Sequence, residues 1–131
     1  MVFTAVYMKV RGRLPEQVAT HFGADGADGF TSRTAVLFIG LAIIVLLGAG
    51  FALGVVADFG RTDFERRMTP AIGCGTAVVI GYCMTAMVVA NVDAVDAAGV
   101  TFSWALFGIG VAAGLVAGGA AWWVTERAGV R

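Results

Sequence analysis

"VLFIGLAIIVLLGAGFALGVV", residues 36–56, decides the fold. It holds no charged side chain, and the charge-free run around it extends from residue 34 to residue 57. A helix rises about 1.5 Å per residue, so roughly 20 apolar residues cross the hydrocarbon of a bilayer. Two further runs, 68–92 and 97–125, also lack Asp, Glu, Lys, Arg and His. One such run could be the central helix of a soluble domain. Three in a chain of 131 residues cannot all be enclosed by one small core.

The runs do not alternate apolar with polar residues, as the strands of a membrane barrel must. Inside lipid each backbone amide needs a partner within the protein, so a continuous apolar run is a helix. The sequence therefore predicts an all-α integral membrane protein. Residues 1–131 form a single membrane domain with three transmembrane helices at about 33–57, 70–91 and 102–125. Composition agrees: 59% of residues are apolar and 14% charged, against an apolar share of roughly 45–50% in soluble domains. The net charge is zero and the arginines are scattered, which speaks against a nucleic-acid partner. Cys74 and Cys83 lie nine residues apart in one predicted helix, about 13.5 Å along its axis. That is too far for a disulfide, so both are packing residues.

On the N-terminal side, Thr31 or Ser32 suits the cap of the first span. Before it runs "LPEQVATHFGADGADGF", residues 14–30. Pro15 fits the first turn of a helix. Leu14, Val18 and Phe22 recur every four residues, and Gly23 can end a helix. This predicts about two helical turns lying on the membrane, followed by consecutive Asp-Gly turns, so that 14–32 is an external loop. Residues 1–13, "MVFTAVYMKVRGR", place eight rather apolar residues before three cations. That order is the reverse of a signal peptide. Two readings stand: an interfacial stub with Phe3 and Tyr7 in the headgroups, or the tail of a truncated first transmembrane helix.

On the C-terminal side, the connector "DFGRTDFERRM" spaces Arg61 with Glu65 and Asp63 with Arg67 for helical pairing. Thr69-Pro70 reads as cap and first residue of the second span. In the third span Trp104 and Trp122 stand 18 residues apart, about 27 Å of helix, as indoles at the two membrane boundaries would. Lys and Arg are nearly balanced between the two sides. The loop "NVDAVDAAGVT", residues 91–101, has two acids and no base. By the positive-inside tendency it lies outside with residues 14–32, and the connector 58–69 and the C-terminus lie in the cytoplasm.

Lipid is as apolar as leucine, so helices in it associate through close backbone contact. Gly110, Gly114 and Gly118 share one face of the third helix. Gly50 and Gly54 do so on the first, and Gly73, Ala77 and Gly81 on the second. These stripes are candidate packing faces, toward each other, a second copy or another membrane protein. None of the three charge-free runs carries Asp, Glu, Lys, Arg or His, which argues against a pump. One histidine and two serines leave no catalytic constellation, so no enzyme and no cofactor are expected. His21, Asp25 and Asp28 could make a small metal site by ligand type. The sequence reading favours turns and hydrogen bonds there instead, and no metal.

The stretch Leu14-Pro15, Thr20-His21-Phe22, Gly23, Gly26, Asp28-Gly29-Phe30, Ser32-Arg33 resembles a signature. It is that of the short domain of unknown function at the front of SdpI-like bacterial membrane proteins. Ala19 stands where that pattern commonly has a second proline. The family usually carries a full transmembrane helix before Leu-Pro, which implies a truncated first helix here. The resemblance implies a multi-pass protein of the bacterial cytoplasmic membrane with the signature outside. It also implies sensing of, or immunity toward, a secreted peptide or envelope component, which the loop would meet with His21, Asp25 and Asp28. Leu14, Pro15, His21, Phe22, Gly26, Asp28 and Gly29 are the candidate residues for binding or for folding the loop. The alternative is an accessory transmembrane subunit that packs through its glycine faces.

Overall fold

The computed structural model describes residues 2–23, 25–57 and 62–128. In chain order it contains α1 (Val2–Val10), a 3-10 turn (Arg11–Arg13), β1 (Gln17–Gly23), β2 (Gly26–Ser32) and α2 (Arg33–Val56). Then follow α3 (Asp63–Ala90), a second 3-10 turn (Ala97–Gly99) and α4 (Trp104–Arg127). The three long helices are apolar and long enough to cross a membrane. Only 11–17% of each one's most apolar stretch is buried within the protein. Leu46, Leu115 and Val116 are more than two thirds exposed. Surfaces of this kind need hydrocarbon, not water, as solvent. The expected three-span all-α membrane architecture is thus observed.

Two local expectations are corrected. Residues 14–30 are not helical turns followed by a loop, since β1 and β2 form a two-stranded antiparallel sheet. The four-residue spacing of Leu14, Val18 and Phe22 suggested a helix. Val, Thr and Phe also favour strands, and Asp-Gly favours hairpins. Pairing through Gly23 and Gly26 wins because it gives the backbone polar groups partners along the whole segment. Gly26, at φ +122°, supplies a backbone conformation that L residues rarely adopt.

The second correction concerns α3. It begins at Asp63, so Pro70 lies inside the helix rather than at its start. Thr62 and Glu65 make a capping box. The Glu65 N–H donates to Thr62 Oγ1 at 3.2 Å, and the Thr62 N–H donates to Glu65 Oε2 at 2.9 Å. This reciprocal cap outweighs Thr69-Pro70, whose threonine instead donates to the Glu65 carbonyl at 3.2 Å. Arg67 pairs with Glu126 at 3.2 Å, not with Asp63. The expected Arg61–Glu65 pair involves Arg61, which lies outside the described residues. Ser32, as expected, caps α2 by accepting from the Ala35 N–H at 3.3 Å.

The chain divides into two compact units. The first comprises Met1–Ala42 and Gly81–Gly108. In it α1 runs beside the start of α2. The Tyr7 hydroxyl donates to the Arg33 carbonyl at 2.7 Å. Phe3 packs on Gly40, where a methyl group would sit 2.6 Å from the Phe3 ring. Both aromatics are buried.

The second unit comprises Ile43–Ile80 and Ile109–Arg131. Its centre is a near-backbone contact of α3 and α4. A methyl at Gly114 would stand 2.8 Å from the Gly75 carbonyl oxygen and would collide with Val79 Cγ2. A methyl at Gly118 would stand 2.9 Å from the Ala71 carbonyl oxygen. Glycine here permits the approach that replaces a hydrophobic drive between helices in lipid. Phe64 packs edge-on against Trp122, 5.3 Å between centroids.

Gly114→Ala is therefore expected to cost about 1–3 kcal/mol through overpacking. It should lower the melting temperature in detergent, whereas Gly119→Ala, which meets nothing within 4 Å, leaves it unchanged. Equal melting curves for the two variants would show that this contact does not hold the helices.

Candidate functional site

A polar structure outside the spans is built on β1, β2 and residues 91–103, all within the first unit. Its core is small: Ala19, Ala97 and Val100 are buried together, with Phe22, Ala27, Ala90 and Ala94 against them. Phe22 also meets Phe102, ring centroids 5.3 Å apart.

Such a core cannot hold a two-stranded sheet alone, since isolated hairpins are marginal in water. Asn91, fully buried at the end of α3, supplies the missing edge. Its Oδ1 accepts the Ala19 N–H at 2.8 Å. Its Nδ2 donates to the Ala19 carbonyl at 3.1 Å and to the Met87 carbonyl at 2.9 Å. Ala19 stands opposite Phe30 in the register. Its own N–H and carbonyl are taken by Asn91, so the amide imitates one residue of a third strand. Two buried backbone groups, which would each cost about 1–3 kcal/mol if unpaired, are satisfied by one side chain.

A second tie fastens the same loop. Arg13 grips Asp93 with its planar fork: Nε donates to Oδ1 at 3.0 Å and Nη2 to Oδ2. The Asp93 N–H donates to the Arg13 carbonyl at 2.9 Å. Asp93 holds a left-handed backbone at φ 60°, which aspartate tolerates better than most residues. The guanidinium hydrogen bond pulls the Asp93 carboxyl below its usual range, assisted by charge attraction and opposed by partial desolvation. The same bond raises Arg13. Both groups are well exposed, so the tie fixes geometry more than it stabilises.

The outward face of the hairpin carries the histidine. Thr20 on β1 and Asp28 on β2 lack partners in the register and are bulges. Bulges re-aim side chains, and here Asp28 Oδ1 reaches His21 Nδ1 at 2.5 Å. Gly29 lies opposite His21, and a methyl there would stand 2.7 Å from His21 Cβ. A methyl at Gly23 would stand 2.9 Å from Asp28 Oδ2. The Asp-Gly pair thus makes room for the imidazole and supplies its hydrogen bond. His21 and Asp28 remain mostly exposed. Among the described residues no group of three His, Cys, Asp or Glu side chains could hold a metal. Asp25 is exposed and has no described part in the pair.

The remaining sequence candidates fall into place unevenly. Leu14 is buried. Pro15 lines an open cavity of about 440 Å³ with Glu16, Gln17, Phe30 and Val95. Of the glycines, Gly114 and Gly118 meet α3 through Gly75 and Ala71, so the facing residues are Ala71 and Gly75 rather than Gly73, Ala77 and Gly81. Gly73 meets the Phe51 ring. Gly54 and Gly110 are buried, while Gly50 and Gly81 meet nothing within 4 Å. Sequence reasoning missed Asn91, Arg13 and Asp93. A lone asparagine ending a charge-free run was the available signal for Asn91. Nothing local joins residue 13 to residue 93.

Residues 1–46 match the family model of a domain of unknown function, DUF1648. The match covers α1, the hairpin and the first half of α2. No curated protein and no solved structure matches the chain.

Two outcomes check this geometry. Asn91→Leu leaves the Ala19 N–H and carbonyl without partners, about 1–3 kcal/mol each. It should depress the melting point and expose the Ala19 amide to hydrogen exchange; undiminished protection at Ala19 would refute the clamp. The second test uses pH. A carboxyl whose folded pKa is lowered contributes stability above the ordinary carboxylate range and loses it as pH falls through the lowered value. The wild type should therefore lose stability more steeply than Asp93→Asn below about pH 4. Parallel acid profiles would contradict the Arg13–Asp93 tie.

Proposed function

We propose that this small membrane protein, fronted by its domain of unknown function, presents the hairpin and the 91–103 loop outside the bacterial cytoplasmic membrane. There they meet a secreted peptide or envelope component, in a sensing or immunity role of the SdpI-like kind. One observation carries the proposal. The hairpin is clamped at Asn91 and Arg13, yet it leaves His21, Asp28 and Phe30 exposed, with Val95 exposed on the loop beside it. A rigid scaffold with exposed polar and aromatic groups suits recognition rather than turnover. The reading is accordingly of a binding protein and not an enzyme. The connector and the C-terminus face the cytoplasm, as supported by the acidic, base-free loop 91–101.

A second reading rests on the glycines that meet nothing. Gly50 and Gly81 present open, smooth surface on α2 and α3, which suits packing against another membrane protein as an accessory subunit.

Single cysteines introduced by Asp96→Cys and Arg66→Cys, with Cys74 and Cys83 replaced by alanine, test the orientation. A membrane-impermeant maleimide should label position 96 in intact cells and position 66 only after permeabilisation. The reverse pattern overturns the orientation. For the role, cells lacking the chain should lose survival under challenge with secreted antibacterial peptides. The wild type should restore it, and His21→Ala with Asp28→Asn should not at equal membrane levels. Full rescue by that variant, with loss of co-purifying membrane proteins after Gly50→Leu and Gly81→Leu, favours the accessory subunit.

A further inference from the structure

A cavity of about 410 Å³ opens between the end of α1, the turn after it and the start of α2. Tyr7, Arg11, Gly12, Arg33, Thr34, Leu37 and Phe38 line it. Two guanidinium groups share this wall and no carboxylate does. The neighbouring cation Arg13 is already occupied by Asp93. The Arg11 side chain has no hydrogen bond or ion pair among the described residues. Arg33 reaches only the Leu14 carbonyl, at a long 3.5 Å, which leaves most of its five donors unused. Positive charge therefore stands uncompensated beside the first turn of a membrane span, at the favourable end of that helix's dipole for an anion.

Leu37 and Phe38 give the wall an apolar side, beside the polar Tyr7 and Thr34. Both lie near the start of the charge-free run of α2, and Phe38 is 65% exposed. Cationic groups at the water end and an apolar wall leading into the span form an amphipathic slot. A free inorganic anion would use only the first half. A phosphodiester joined to acyl chains uses both, the guanidinium forks taking the phosphate oxygens and Phe38 the chain.

We infer that this slot binds the phosphodiester headgroup of an anionic phospholipid, held by Arg11 and Arg33 with its acyl chains along Leu37 and Phe38. The site is separate from the proposed recognition surface around His21 and does not depend on it.

The test uses the full chain in neutral detergent, with bound lipid counted by native mass spectrometry. Phosphatidylglycerol should bind about tenfold more tightly than phosphatidylcholine. Arg11→Gln with Arg33→Gln should erase that preference, a change of about 1.4 kcal/mol, and Arg127→Gln should retain it. Arg11→Gln alone removes no described side-chain bond. It should melt like the wild type and lose most of the preference, so loss of binding cannot be confused with loss of fold. Equal binding of the two lipids, or a preference that survives the double variant, overturns the inference. Displacement of phosphatidylglycerol by an equal concentration of inorganic phosphate overturns it in favour of a free-anion site.

Discussion

The hairpin exists because one amide side chain closes its edge. Two strands of seven residues have little core of their own. Ala19 turns its N–H and carbonyl away from β2, toward the end of α3. Were those groups buried unpaired, the strand would be driven back to water. Asn91 accepts from one and donates to the other, and its second N–H goes to the Met87 carbonyl. A side chain that is fully buried and fully bonded has one low-energy pose. The sheet, the end of the helix and the loop beyond it are thereby set in one register. Everything exposed on the hairpin, the His21–Asp28 pair included, inherits its position from that register.

The spans obey a different constraint. In lipid, apolar side chains gain nothing by turning inward, which is why Leu46, Leu115 and Val116 lie mostly exposed. Cohesion falls to places where backbones meet: Gly114 on Gly75, Gly118 on Ala71, Gly40 under Phe3. Polar side chains in the helices are quieted locally. Thr85 donates to the Gly81 carbonyl at 2.7 Å and Thr125 to the Trp122 carbonyl at 2.7 Å. At the end of α4, Arg127 lies over the Trp123 ring, 3.9 Å from its centroid. That is a favourable arrangement for a cation beside an indole at a membrane boundary.

The signature residues gain individual physical reasons. Gly29 is small because His21 lies across from it. Asp28 is acidic and bulged because it bonds the imidazole. Gly26 carries the positive φ of the turn, Leu14 is buried, and Phe22 packs against the small core. These reasons account for a fold-building role at each position. His21 and Asp28 also remain turned to solvent, as does Phe30, which is why the recognition proposal rests on them.

The three spans and a cap at Thr31 or Ser32 were legible in the sequence, because each follows from local rules: charge-free length, and a side chain three residues from the amide it caps. The start of α3 was not, since the Thr62–Glu65 cap carries the helix seven residues further back. The hairpin was not, since the period-four pattern of Leu14, Val18 and Phe22 competes with their strand preference, and only pairing with β2 and Asn91 breaks the tie. Likewise the α4 glycines could be seen as a smooth face, but not that Ala71 and Gly75, rather than Gly73 and Gly81, would meet them. Local chemistry determines which segments leave water. Which distant groups then satisfy one another, Asn91 with Ala19 or Arg13 with Asp93, is decided only when the folded chain brings together residues more than seventy positions apart.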